Sequence, residues 1–456
     1  MKLIYLINVI LISIIHAEIA LDSASNALNQ FGLKLLAETN GKLSENINLA
    51  ISPYTVWTAM SIVNEGAMRN TAAQLENVLY IPPNNGTDRQ AFRKLQQRMV
   101  QQITKNEEWV TLEILNAMFT RREAILNQNF IDLTQDIYNV RVEPLDFKKP
   151  AIAADRINKV VSDATHGKIP EIIDAAKVED AYMFITSVLF FKGLWDKKFD
   201  KADTKLEPFY NERREEIATV PMMHTSGAFP FGQILNGKAI AVELPYIENK
   251  ISMVAILPKN DVPLATVLNA LAETSIPQLV ESLNKTKLAF STTDIMVELP
   301  RFKISSSLNL NIVLSALGAT DVFHSGRSNL TGISSVSPLF ISRLYHQTEI
   351  DVDEDGTGNN VSMILVRPRQ DKKSLTMILN DLAEIPFNKI YNEIHKYDNM
   401  TALLGDDTIK LFLPRFEISS TFNLNEVLDA MGIKDVFNER DADLDNIAQN
   451  VELYVS

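Results

Sequence analysis

The sequence predicts an α+β fold, and three observations carry the prediction. Apolar residues recur at helical spacing through the N-terminal part of the chain, and from Met183 onward β-branched and aromatic runs take over. The strands and helices that follow do not alternate in the regular β-α order that a doubly wound sheet requires. With 46% hydrophobic and 22% charged residues, and only 16 Gly and 18 Pro in 456, the composition excludes fibrous and disordered classes. Acidic residues outnumber basic ones 57 to 44, a formal net charge of −13 that repels polyanions, so nucleic acid is not an expected partner.

In chain order, residues 1–17 read as a secretion signal. Lys2 gives a short positive start, Leu3 to Ile15 is apolar except for Asn8 and Ser13, and Ile15-His16-Ala17 offers a small residue at the cleavage point. The run is shorter than the roughly 18 apolar residues of a membrane helix, and no later stretch reaches that length, so no membrane partner is expected. After Asp22 and Ser23, Leu28, Phe31, Leu35 and Leu36 mark a first helix. A second opens at Ser52-Pro53, a side-chain acceptor followed by the residue that suits the first helical position, with Val56, Met60 and Val63 as its stripe. Thr71 and Gln74 have capping-box spacing and predict a third helix that Pro82-Pro83 stops. Asn84-Asn85-Gly86 is a polar turn before a helical stretch over Phe92 to Val100. Met183 to Phe191 predicts a strand buried on both faces. Ala239 to Tyr246 and Ile251 to Pro258 bracket Glu248-Asn249 as a hairpin. Helical patterning returns over Val262 to Leu283, then a strand over Ile295 to Ile304 and a short helix over Leu308 to Leu317.

The chain also repeats itself. Val297 to Phe323 and Leu411 to Phe437 share 17 identities over 27 positions at an offset of 114. Ile251 to Asp261 resembles Val361 to Asp371, and Leu339 to Ser342 resembles Leu453 to Ser456. Two copies are too few for a solenoid, so residues 361–456 read as a partial duplicate of 251–342.

Recognised enzyme chemistry is missing. There is no G-x-S-x-G nucleophile turn, no H-E-x-x-H and no phosphate-cradling glycine loop, so the chain is not expected to be an enzyme or to carry a cofactor. With no cysteine there is neither a disulfide framework nor a thiolate. Asp351-Val-Asp353-Glu-Asp355-Gly356 copies the first half of a calcium loop, but Ser362 stands where the bidentate Glu belongs, so no metal is expected. Arg89, Arg93, Lys94 and Arg98 cluster on a predicted helix, either as its solvated face or as a contact for a sulfated glycan. Asn85, Asn284, Asn329, Asn360 and Asn399 begin glycosylation sequons, in keeping with export.

Taken together the chain resembles a serpin. The resemblance is carried by Asn48-Leu-Ala-Ile-Ser-Pro53 with Gly66-Ala67, Thr71 and Gln74-Leu75; by Ile157-Asn158 and Thr165-His-Gly-Lys-Ile169; by Phe190-Phe-Lys-Gly-Leu-Trp195 with Phe199; by Leu299-Pro-Arg-Phe302; by Leu317-Gly318 and Asp321-Val-Phe323; and by Ser342 to His346 leading into Asp353-Glu-Asp-Gly-Thr357. These occur in family order over residues 23 to 360. The resemblance implies a single α+β domain over 18–360, with a large mixed sheet, smaller sheets and about nine helices. It implies an inhibitor of serine proteases: the protease attacks an exposed loop, and the cut loop enters the large sheet as an extra strand.

By position, the family likeness makes Glu354, Gly356 and Thr357 the hinge, with Gly356 giving backbone freedom. Ser52, Thr55, Ser187 and His346 fall at its sheet-opening cluster, and Trp195 where insertion begins. Family spacing puts the reactive bond at Gln370-Asp371; Arg367 and Arg369 nearby suggest a trypsin-like protease. Four departures stand out: Arg69 for Gly, Val160 for Trp, Thr55 for Ser and Ser187 for Asn. After Thr357 the family's small, alanine-rich run is replaced by Gly358-Asn359-Asn360-Val361, and a glycan on Asn360 is incompatible with burial of that strand. The family's closing strands are not recognisable after Val361. The rival readings are a non-inhibitory binding or storage protein, and a product of two wrongly joined, adjacent serpin coding units.

Overall fold

The computed structural model describes residues 10–15, 23–43, 48–84, 86–103, 109–122, 124–167, 170–171, 173–178, 182–210, 215–249, 251–259, 262–274, 278–279, 294–335 and 339–369. Contacts divide the chain into Met1–Asp381 and Leu382–Ser456, and every described residue lies in the first unit.

The fold is built around one fully buried helix. α1 (Ser23–Lys42) precedes α2 (Pro53–Glu65), in which every residue after Pro53 is buried. The helix buries polar Thr55, Thr58, Ser61, Asn64 and Glu65 together with its apolar residues, and it starts as its sequence directs: the Ser52 side chain accepts from the Thr55 N–H, and Pro53 occupies the first turn. α3 (Arg69–Leu79) begins earlier than its capping-box spacing suggested, after Met68, with no side-chain cap. Thr71 and Gln74 serve tertiary contacts instead. Thr71 Oγ1 accepts from the Asn329 N–H, and Gln74 Oε1 from the N–H groups of Thr320 and Asp321. α4 (Thr87–Ile103), α5 (Gln128–Tyr138), α6 (Pro150–Ala164), α7 (Ala175–Val178), α8 (Leu264–Ala272) and α9 (Asn311–Ala316) complete the described α-helices. α8 is shorter than the stretch the patterning marked, part of which lies outside the described residues.

The described strands form three sheets. The largest runs in the order β11 (Phe302–Asn309), β12 (Phe340–Val352), β13 (Gly356–Arg369), β4 (Met183–Leu194), β2 (Val110–Arg121) and β3 (Val140–Leu145). Among the described strands only β2 and β3 pair in parallel, so the sheet is mixed. β4 is nearly continuously buried, as its apolar run requires of an interior strand. A second sheet joins β1 (Ile10–Ile15), β9 (Ile251–Pro258), β8 (Ala239–Pro245) and β7 (Phe231–Ile234); the third joins β10 (Ile295–Pro300), β6 (Glu216–Gly227) and β5 (Lys205–Tyr210). The β8–β9 hairpin turns through Glu248 and Asn249, both at positive φ. The predicted strand Ile295 to Ile304 is in fact two: it breaks at Pro300-Arg301 and passes from the small sheet to the large one. Among the described residues, no helix is long and apolar enough to cross a membrane.

The basic cluster is not a surface patch. Arg89 is fully buried and its guanidinium meets Glu65 Oε1 at 2.7 Å, while Arg93 takes Glu65 Oε2 at 2.5 Å. The Tyr138 hydroxyl adds a bond to Glu65, and burial pushes that phenol well above its ordinary pKa. Helical periodicity alone had put four cations on one solvated face. The buried Glu65 on α2 withdraws two of them into an ion-pair core and leaves only Lys94 and Arg98 exposed, which removes the basis for a four-residue glycan contact.

Candidate functional site

The turn that joins β12 to β13 is held by three independent sets of contacts. Asp353 closes the turn itself: its Oδ1 accepts from the N–H groups of Asp355 (2.9 Å) and Gly356 (3.1 Å), and its own N–H donates to Gly356 O at 3.0 Å. The carboxylate that made this stretch look like half a calcium loop is thus spent on backbone donors. Among the described residues no group of three acids or histidines is placed to hold a metal.

The second set comes from the segment after β4. The Trp195 backbone N–H donates to Asp355 O and its indole N–H to Asp353 O, both at 3.0 Å, and the Phe199 N–H donates to Glu354 O at 3.1 Å. Trp195 is buried and stacks on Tyr246, with ring centroids 4.7 Å apart and planes 8° from parallel; Phe191 and Phe199 pack edge-on against this pair. The Tyr246 hydroxyl lies 2.6 Å from Thr357 Oγ1, and Thr357 is 1% exposed. Burial raises the Tyr246 pKa well beyond that of a free phenol.

The third set is ionic. Glu354 is buried, accepting from the Thr204 hydroxyl at 2.7 Å with Arg301 at 3.6 Å. Asp355 faces outward between Lys201 (2.7 Å) and Lys198 (3.1 Å). The hydrogen bond from Lys201, then that from Lys198, holds its carboxyl below the usual carboxylate range.

Gly356 is explained by space and not by conformational freedom. Its φ is not positive, but a Cβ there would stand 2.1 Å from Gly193 O and 2.9 Å from Leu194 Cα. The two chains approach backbone to backbone, which only glycine allows. From this point β13 pairs antiparallel on both flanks, to Phe340–Val352 on one side and to β4 on the other, with register shifts around Gly358 and Asn359. The unexpected asparagines therefore begin at an irregularity of the ladder, where a bulge relaxes the strand.

Farther along the same sheet, Ser52 and Thr55 at the start of α2 come against His346 of β12. The Ser52 N–H donates to His346 Nε2 at 3.0 Å, which requires a neutral ring with its proton on Nδ1, and Thr348 Oγ1 lies 2.7 Å from the same nitrogen. Thr55 Oγ1 donates to Ser52 O at 3.1 Å. Ser187 is fully buried but stands one strand away: Ile364 of β13 lies in register between it and His346, and Ser187 Oγ has no hydrogen-bond partner among the described residues. Gln370 and Asp371 lie outside the described residues, as do Asn85, Asn284 and Asn399. Asn329 is half-buried, its Oδ1 accepting from the Thr331 hydroxyl. Sequence reasoning had missed Tyr246, Lys198, Lys201 and Thr204. Tyr246 and Thr357 are 111 residues apart, and no local pattern marks the tyrosine.

Comparison with known proteins agrees with this architecture. The family model "Serpin (serine protease inhibitor)" matches residues 26–360 and again 357–456. Mouse leukocyte elastase inhibitor A is 31% identical over 340 residues, covering 74% of this chain and 87% of the mouse protein. Sheep antithrombin-III is 29% identical over 349 residues, covering 75% and 72%. Among solved structures, emu ovalbumin superposes with a TM-score of 0.69 at 25% identity, covering 77% of this chain and 92% of that one. A reaction-loop-cleaved lamprey angiotensinogen gives 0.66 at 25%, covering 76% and 98%. The chain belongs to the serpin family, which contains inhibitors of serine proteases.

Proposed function

We propose that this chain is a secreted inhibitor of serine proteases that works by inserting the segment after Thr357 into its own large sheet. The observation that carries the reading is β13, a strand continuous with the turn 353–356 and hydrogen-bonded between β12 and β4. Glu354, Gly356 and Thr357 form the hinge. Trp195 anchors the place where the strand enters, through its two bonds to the turn. Ser52, Thr55 and His346 line one side of the path and Ser187 the other, so that entry of Ile364 parts what would otherwise be neighbouring strands. The protease serine attacks the bait carbonyl, the bond breaks with its acyl half on the enzyme, and insertion carries the enzyme away before water can release it. The bond assigned by spacing, Gln370-Asp371, follows Arg369, with which β13 ends. Arg367 and Arg369 make a trypsin-like enzyme the preferred target. Export is supported by the leader at 1–17 and the sequons, and residues 361–456 are a partial duplicate of 251–342. A molecule glycosylated at Asn360 does not insert, because the sugar would have to enter the sheet.

The test is incubation with trypsin followed by denaturing electrophoresis. A covalent band at the summed mass supports inhibition; cleaved or untouched chain alone, across a panel of trypsin-like enzymes, refutes it. The substitution of Gly358-Asn359-Asn360 for a small apolar run favours one rival, a non-inhibitory binding protein. For that rival, loop cleavage leaves the melting temperature unchanged. Peptides spanning Thr357 to Arg367 in the natural protein rule out a wrongly joined product.

A further inference from the structure

The outer edge of β9 is a strand-acceptor site. In the second sheet Ile10–Ile15 lies antiparallel along it, from Ile10 opposite Ile256 to Ile15 opposite Ile251. β9 has the character of an interior strand. Its first six residues are buried, Ile251 and Met253 packing in the main core while Val254 and Ile256 pack with Val267, Leu268 and Leu271 of α8. From Ile251 to Leu257 it carries no charge and no proline, the usual guards of an exposed edge. The strand now seated there, Ile-Leu-Ile-Ser-Ile-Ile, is itself an apolar run with a single serine.

Removal of residues 1–17 takes this strand away and opens the backbone donors and acceptors of β9. We infer that the processed chain then forms a two-fold dimer through this edge, the β9 of a second copy taking the place of Ile10–Ile15. The reason for choosing a second copy is chemical likeness and symmetry. Ile-Ser-Met-Val-Ala-Ile-Leu is, like the departing strand, an apolar run with one serine, and it is available in equal amount to the site. Antiparallel pairing of two identical strands is isologous and closes on itself, so it gives a dimer and not a filament. The joined sheet would run β7-β8-β9 through the dyad into the same three strands of the partner. This inference rests on the export reading for the loss of residues 1–17.

The two are tested separately. The full chain is produced in secreting eukaryotic cells, and the N-terminal residue of the product is determined. A product that starts at Met1 contradicts the export reading alone; the dimer is then tested on chain produced to start at Glu18. Light scattering on the processed chain is expected to give twice the monomer mass, and unprocessed chain the monomer mass. A lysine-flanked peptide of Val9–His16, added in excess, is expected to return the dimer to monomer by refilling the edge, and a scrambled peptide to leave it intact. A processed chain that is monomeric at all concentrations overturns the inference, whether its edge stays open or is filled by another part of the same chain. So does a dimer that the matched peptide does not dissociate.

Discussion

Replacing Gly356 by alanine separates the inserted strand from every other feature of the molecule. In the inserted arrangement the new Cβ meets Gly193 O at 2.1 Å. Carbon and carbonyl oxygen come no closer than about 3.3 Å without repulsion, so the two backbones must part by about 1 Å. The obstructing atoms are main chain of β4, which is held on its far side by the ladder to β2 and cannot swing away as a side chain would. Overpacking of this kind costs about 3 kcal/mol, the upper end of its range. With an unfolding entropy of about 2.1 cal/mol/K per residue over roughly 350 residues, that is a fall of about 4 °C in melting temperature. The fall belongs to any form in which Gly356 lies against Gly193, as it does with β13 in the sheet. Scanning calorimetry of loop-cleaved Gly356→Ala against loop-cleaved wild type, in both of which β13 is in the sheet, should show it. Trypsin should also yield more cleaved chain and less covalent complex, because slower insertion leaves time for hydrolysis. Equal melting temperatures for the two cleaved proteins would refute the close approach and with it the reason for a glycine at this position.

Other expectations follow from the same contacts. Trp195→Phe keeps the ring stack but leaves Asp353 O without its indole donor, a loss of about 1–3 kcal/mol measurable by urea unfolding. Glu65→Gln strips the buried Arg89 of its counter-charge and should cost about 3–5 kcal/mol, whereas Arg89→Ala should not alter elution from a sulfated-glycan column. Asp355 has a folded pKa below its unfolded value of about 3.9. Its contribution is therefore present above that value and lost as pH falls through the folded one. The side chain is 43% exposed, so after solvent screening the effect is under about 1 kcal/mol. Wild type should melt slightly above Asp355→Asn at neutral pH, and the two should converge in acid.

What could be read from the sequence was what local chemistry decides. Ser52-Pro53 fixes the start of α2 because both the side-chain acceptor and the ring act within one turn. The apolar run at Met183 fixes an interior strand because no other environment accepts it. What could not be read depended on partners far along the chain. Thr71 and Gln74 have the spacing of a cap, yet their acceptors are claimed by residues 320–329. Arg89 reads as a surface cation until Glu65 is brought beneath it. At the hinge, Glu354, Gly356, Thr357 and Trp195 carry a family motif, but Tyr246, which joins the tryptophan to the threonine, has no local signature. The role of Gly356 also changed. Its sequence context suggested freedom of rotation, and its surroundings give a steric reason instead.

The central claim is that residues 356–369 become a strand of the large sheet with neighbours on both sides. Hydrogen exchange followed by mass spectrometry, before and after loop cleavage, tests it most directly. The structure shows the inserted arrangement in the uncut chain, the end point of insertion; an active inhibitor must first hold this segment outside the sheet, so in freshly secreted, uncleaved chain the amides of Thr357 to Val366 should exchange quickly. After cleavage they should be protected as strongly as those of β4, since each strand then has ladders on both flanks. Rapid exchange of that segment after cleavage, with β4 still protected, would contradict the account.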